Sequence, residues 1–123
     1  MITSQYPFLL PFNIDDDLPT RLRTLARDLE LIRKAEAPTQ RQYDEAPFID
    51  QWRATTDATG LRLTGLVANH PRLRPGPAMT TQLWTADPYG RWVRSLSRFY
   101  RLGRRLPSAK QTDYDPDKDF RDV

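Results

Sequence analysis

The sequence predicts an α+β fold: one N-terminal amphipathic helix and a short helix packed on a small antiparallel sheet of three to four strands. Three observations carry this. Leu18, Leu22, Leu25, Leu29 and Ile32 recur at spacings of three and four, the period of a helix face. From residue 61 the period changes to two, the signature of strands. The 123 residues suffice for one domain with one core. The expected division is a single domain over 1–106, helical over 1–60 and β over 61–106, followed by an acidic tail over 107–123. Low hydrophobicity, Pro107 and Pro116 predict that this tail is disordered.

Residues 1–14 are apolar and broken by Pro7 and Pro11. They read either as an extended segment across the domain or as a mobile terminus. The first helix follows over 18–36. Asp17 is the expected N-cap, Pro19 suits the first turn, and Arg33 and Lys34 suit the negative end of the helix dipole. Pro38 disfavours helical geometry at Ala37 and is expected to stop the helix. The apolar stripe packs on its own domain or, less consistently with its length, forms a coiled-coil seam.

Residues 39–60 are polar with an aromatic cluster. Pro47 is expected to open the short helix, with Phe48 and Trp52 one turn apart and Phe48, Ile49 and Trp52 covering the core. Thr55 to Gly60 reads as a loop. Leu61, Leu63, Gly65 and Val67 then alternate with Arg62, Thr64, Leu66 and Ala68 as a strand. His70 to Pro77 is a stiff loop of turn formers, and Met79 to Thr85 has strand composition. Asp87-Pro88-Tyr89-Gly90 matches a type I turn. Arg91 to Leu96 is the next strand, and Ser97-Arg98 closes a hairpin into Phe99 to Leu102.

Charge is segregated along the chain. Residues 1–60 carry 7 basic and 10 acidic groups, residues 61–110 carry 10 basic groups against Asp87 alone, and residues 111–123 carry 2 basic and 5 acidic groups. A central basic stretch between acidic flanks predicts a surface that meets something anionic. Its densest part, Arg91 to Arg105, holds Arg91, Arg94, Arg98, Arg101, Arg104 and Arg105 with Trp92, Phe99 and Tyr100 and no acid. Arginine binds phosphate bidentately and stacks on rings, and interleaved aromatics stack bases. The expected binding residues are these six arginines with Tyr100, extended by Arg72 and Arg74 in the loop. The competing reading is an edge hairpin whose Trp, Phe and Tyr are core and whose arginines are solvated or pair with Asp44, Glu45 and Asp50.

Catalytic chemistry finds little support. There is no cysteine, so disulfides, zinc–thiolate sites and thiol nucleophiles are excluded. The single histidine, His70, precedes Pro71 in the stiff loop and reads as a turn residue. The five glycines are scattered, leaving no phosphate-cradling loop. Asp15-Asp16-Asp17 reads as a solvated helix start. The tail's alternating Asp113, Asp115, Asp117 and Asp119 imitates a calcium loop but has Lys118 where glycine is needed. No catalytic, metal or cofactor residue is therefore expected. The proline-broken start does not read as a signal peptide, no apolar run approaches a membrane span, and the cytoplasm is the expected compartment.

Residues 63–103 run from Leu-Thr-Gly-Leu-Val-Ala-Asn-His-Pro through Met-Thr-Thr-Gln-Leu-Trp to Trp-Val-Arg-Ser-Leu-Ser-Arg-Phe-Tyr-Arg-Leu-Gly. This window resembles a group of short uncharacterised bacterial proteins of the accessory genome, a domain of unknown function. The resemblance implies strand–loop–strand–turn–strand and a mobile or accessory gene. The functional expectation is a non-enzymatic module that contacts nucleic acid or a nucleoprotein complex. The alternatives are a phage- or plasmid-type inhibitor of a host machine and an enzyme with an unfamiliar site at His70, Asp87 or Tyr100.

Overall fold

The expected helix is present as α1, Leu18–Arg33, in a computed structural model that describes residues 10–57 and 60–107. Leu18 and Leu25 are buried, while Leu22 is 44% exposed at the margin of the stripe. The buried line instead continues through Asp28, a polar residue placed at core spacing from Leu25 and Ile32. Asp17 holds the N-cap position but has helical dihedrals, φ −92° and ψ −9°, so its carboxylate does not cap. A side-chain cap needs an extended backbone there. The carboxylate faces Arg21 one turn on, at 3.9 Å.

The helix ends at Arg33, before Pro38 can act. Ala35 takes the left-handed conformation, φ 59°. Its N–H donates to the Ile32 carbonyl and the Glu36 N–H to the Leu31 carbonyl, the pair of bonds of a Schellman cap.

The short helix lies earlier than expected. It is α2, Gln40–Glu45, opened by a capping box in which Thr39 and Gln42 satisfy each other's backbone N–H. Phe48 is not helical. It begins β1, Phe48–Asp57, so the expected helix at Pro47 and the expected loop from Thr55 are both replaced by a ten-residue strand. Ile49 is fully buried in the inner cluster and half-buried Trp52 packs against it, as expected, whereas Phe48, also half-buried, lies beside Arg101.

The remaining strands are β2 (Gly60–Ala68), β3 (Gly76–Met79), β4 (Leu83–Ala86), β5 (Trp92–Ser95) and β6 (Phe99–Leu102). The α+β class stands, with six strands rather than three or four, and the sheet is mixed rather than antiparallel. Its order is β3-β2-β1-β6-β5-β4, with β1 and β6 parallel. The segment 79–85 is not one strand. It breaks at Thr80–Gln82 and supplies both edges of the sheet.

That break dictates the shape. Four residue steps from Met79 to Leu83 reach at most about 14 Å. Five strand spacings in a flat sheet need roughly 24 Å. The sheet therefore rolls until its edges approach, and the Gln82 side chain beside β4 comes to 3.0 Å from where a Cβ on Gly60 of β2 would stand. The Thr80 side chain, buried at the corner, accepts from the Leu63 N–H.

Rolling gives the sheet an inside and an outside. Ile49, Leu63, Val67, Val93 and Tyr100 fill the inside. On the outside, Trp92 and Phe99 meet edge to face, 5.5 Å between centroids, under Ala37, Ala46, Leu31, Ile32 and Tyr43. The hairpin β5–β6 is thus sandwiched, and all four β5 residues are buried. Gly65 permits the tight approach of β2 to β1, where a Cβ would stand 2.8 Å from Ile49 Cγ1 and 2.9 Å from the Asp50 carbonyl. The opposite strand bulges at Gln51, φ 51°, between the Asp50 and Arg53 pairings. The expectations for residues 1–9 and for the tail from Ser108 lie outside the described residues.

Candidate nucleic-acid interface

The sandwich sorts the basic hairpin residues into three groups. Two of the nine expected residues are inside the protein. Arg94 is 1% exposed, because the outer face of β5 on which it stands is covered by α1. Its guanidinium meets the Asp28 carboxylate at 2.9 Å, lies 5.4 Å from the Phe99 ring centroid, and donates to the Ser95 carbonyl. Burial pulls its pKa down and Asp28 opposes this. Tyr100 is 6% exposed in the inner core. These placements leave neither side chain a face to offer a ligand.

A second group gathers at the closed end of the hairpin. Ser95 accepts from the Ser97 and Arg98 N–H groups and donates to the Arg98 carbonyl, which fixes the turn. Arg98 is half-buried there, beside His70. Arg72 and Arg74 are exposed on the loop. His70 Nδ1 accepts from the Arg72 and Leu73 N–H groups at 3.0 and 3.2 Å. Its proton therefore sits on Nε2, which faces the Tyr100 hydroxyl at 3.3 Å. Burial, then Arg98 and Arg72, hold the imidazole below its ordinary pKa. His70 is thus a turn residue, as expected, and burial also pushes the Tyr100 phenol up.

The third group lies along the β1–β6 seam, with Arg91, Arg104 and Arg105 exposed and Arg101 half-buried. Arg101 pairs with Phe48 across the parallel β1–β6 seam, and such partners share a face. Its guanidinium lies 5.5 Å from the Phe48 ring and 6.0 Å from Tyr43, with Nε donating to the Ala46 carbonyl. Arg105 bridges to Trp52 farther along the same seam and lies 5.3 Å over its ring. Between them Arg104 approaches Asp50 at 3.4 Å while remaining 79% exposed. The Asp50 pKa is lowered chiefly by the bond from the Arg104 N–H. This pairing is the one anticipated by the competing reading. At the other end, Arg91 lies 5.6 Å from the Tyr89 ring.

Asp87 organises that end. Its carbonyl accepts from the Gly90 N–H, closing the expected turn, and Gly90 has φ 75°. Its carboxylate accepts from the Tyr89 and Arg91 N–H groups and from Arg91 Nε at 2.6 Å. Burial pushes the Asp87 pKa up, but these bonds outweigh it and hold the group below its ordinary value.

On the outer face these residues run Tyr89, Arg91, Tyr43, Arg101, Phe48 and Arg104, and the Trp52–Arg105 pair stands farther along the seam, where Trp52 packs against the inner cluster. The four arginines were legible in the sequence. The rings of Tyr43, Phe48 and Trp52 were missed as their partners, because the contacts cross from α2 and β1 to the 101–105 segment, and Tyr89 was read only as a turn residue although it stands two positions from Arg91. Among the described residues no helix is long and apolar enough to cross a membrane, and no cluster of three His, Asp or Glu side chains gathers.

A model of a family of unknown function (DUF6634) matches residues 20–114. The match takes in the whole 63–103 window that resembles short uncharacterised proteins. Neither the curated proteins nor the solved structures gave a match. The chain belongs to this family of unknown function.

Proposed function

We propose that this domain is a non-enzymatic binding module that contacts nucleic acid, alone or within a nucleoprotein, along the β1–β6 seam. The observation that supports the reading is that three arginines of the seam, Arg91, Arg101 and Arg105, each lie beside an aromatic ring, with Arg91 and Arg105 exposed and Arg101 half-buried. A ring beneath a guanidinium holds it flat and desolvates one face, which leaves its N–H edge pointing outward to take a phosphate. The sharing of Asp87 and Asp50 reduces the net charge of Arg91 and Arg104, so Arg101 and Arg105 carry most of the attraction.

The test is a salt-titrated binding assay with short single-stranded and duplex DNA and RNA, comparing the wild type with a triple Ala variant at Arg91, Arg101 and Arg105. Each lost phosphate contact should flatten the log K against log salt line by about 0.9 on duplex and about 0.7 on single strands. Absence of wild-type binding at low salt, or an unchanged slope in a folded variant, overturns the proposal.

A further inference from the structure

Tyr89 is 84% exposed, the most exposed of the described large apolar or aromatic side chains. An aromatic ring in water contributes little to folding, yet this one is held on a rigid mount. The mount is the Asp87–Gly90 turn, whose central carboxylate is buried and makes three hydrogen bonds. The same carboxylate fixes Arg91 through Nε, and so sets the guanidinium 5.6 Å from the Tyr89 ring. On the far side of Arg91 a shallow cleft of about 150 Å³ is lined by Pro38, Thr39, Gln40, Tyr43 and Trp92.

We propose that the Tyr89 ring is a stacking platform for an unpaired nucleobase, which makes single-stranded nucleic acid the preferred ligand of the seam. This rests on the nucleic-acid reading above and adds a strand preference to it. A base lying on an exposed ring needs one face free, and a base inside a duplex has both faces covered by its neighbours. The turn supplies the ring already oriented, so little conformational entropy is lost when the base arrives. Arg91 stands beside the stack with its charge partly balanced by Asp87, and the backbone that follows the stacked base would run toward Arg101 and Arg105.

The experiment uses a fluorescent single-stranded oligonucleotide and the matching duplex, with the full chain as wild type, Tyr89→Ala and Tyr89→Trp. Circular dichroism checks that each is folded, and an exposed side chain gives no reason for loss of fold. Stacking is worth about 1–3 kcal/mol per base, so Tyr89→Ala should weaken single-strand binding on the order of 5- to 150-fold. Duplex binding should change less than twofold, and the salt slope should stay at the wild-type value, because stacking releases no counterions. Tyr89→Trp should restore single-strand affinity. Wild-type binding that Tyr89→Ala leaves intact on both ligands overturns the platform and spares the seam. An equal loss on single strand and duplex also overturns it. Absence of wild-type binding to either ligand refutes the broader reading itself.

Discussion

Removing the Asp28 carboxylate would leave the Arg94 guanidinium charged inside the protein. Arg94 is 1% exposed and the Asp28 side chain 11% exposed, with Arg94 Nε at 3.0 Å and a terminal nitrogen at 2.9 Å from Asp28 Oδ2. Arginine does not escape by deprotonation. Breaking a buried pair from one side costs about 3–5 kcal/mol, because the remaining charge is uncompensated. In a domain of this size 1 kcal/mol moves Tm by about 4–8 °C. Asp28→Ala should therefore lower Tm by at least about 12 °C.

The pair itself is a weaker stabiliser than this number implies, since both ions also lose their hydration. Replacing both by apolar residues of similar size, Asp28→Leu with Arg94→Met, should recover most of the loss. The assay is thermal unfolding by circular dichroism on the two single variants and the double, read as a double-mutant cycle. A Tm for Asp28→Ala within about 3 °C of wild type would refute the reasoning. So would a double variant whose loss equals the sum of the singles within about 0.5 kcal/mol, the range expected of uncoupled sites.

The Leu25→Asp substitution buries an unpaired carboxylate where 3% of the side chain's residue surface is exposed. It should remove cooperative unfolding, at a cost of several kcal/mol, and an unchanged melting curve would place the α1 stripe outside the core. His70 gives a pH signature. Its folded pKa is held below the ordinary value of 6.5, so below that pH the unfolded chain binds the proton more readily. Stability should be full above about pH 7.5 and fall as pH drops through about 6.5, levelling once the folded imidazole also titrates. The carboxylates of Asp50 and Asp87, both lowered, act only at more acid pH. Tm followed from about pH 8 to 5.5 should slope in the wild type and flatten in His70→Gln. A flat wild-type profile contradicts this account.

Where local pattern and packing agree, the sequence could be read directly. The α1 stripe, the alternation of β2, the Asp87–Gly90 turn and the Ser97–Arg98 hairpin turn are all short-range events. Failures arose where a remote element decided. Pro47 carries a helix-start signal, but the β2 and β6 ladders on either side hold Phe48–Asp57 as a central strand. The capping box Thr39-x-x-Gln42 was present in the sequence and is the true start of α2. The strands β3 and β4 have four residues each, too few for alternation to separate them across Thr80–Gln82. Asp28 carried a usable signal, a carboxylate at the core position between Leu25 and Ile32, which asks for a buried cation in return.

That request also explains why a basic hairpin is not a uniform basic surface. Alternation along β5 puts Trp92 and Arg94 on one face. In a sheet with one wet side this would be the solvent face. Here α1 lies over it, so Arg94 becomes the ion that anchors the helix, while Arg101, one strand across and nearer the seam, is only half-buried beside its ring partners. The distinction governs how binding should be tested. Arg94 belongs by sequence to the same run as Arg98 and Arg101, and its substitution would abolish any ligand binding by loosening α1. A loss of affinity at Arg94 therefore says nothing of the ligand. The same loss at Arg105, exposed at the end of the seam over Trp52, reports on the ligand once circular dichroism shows the variant folded.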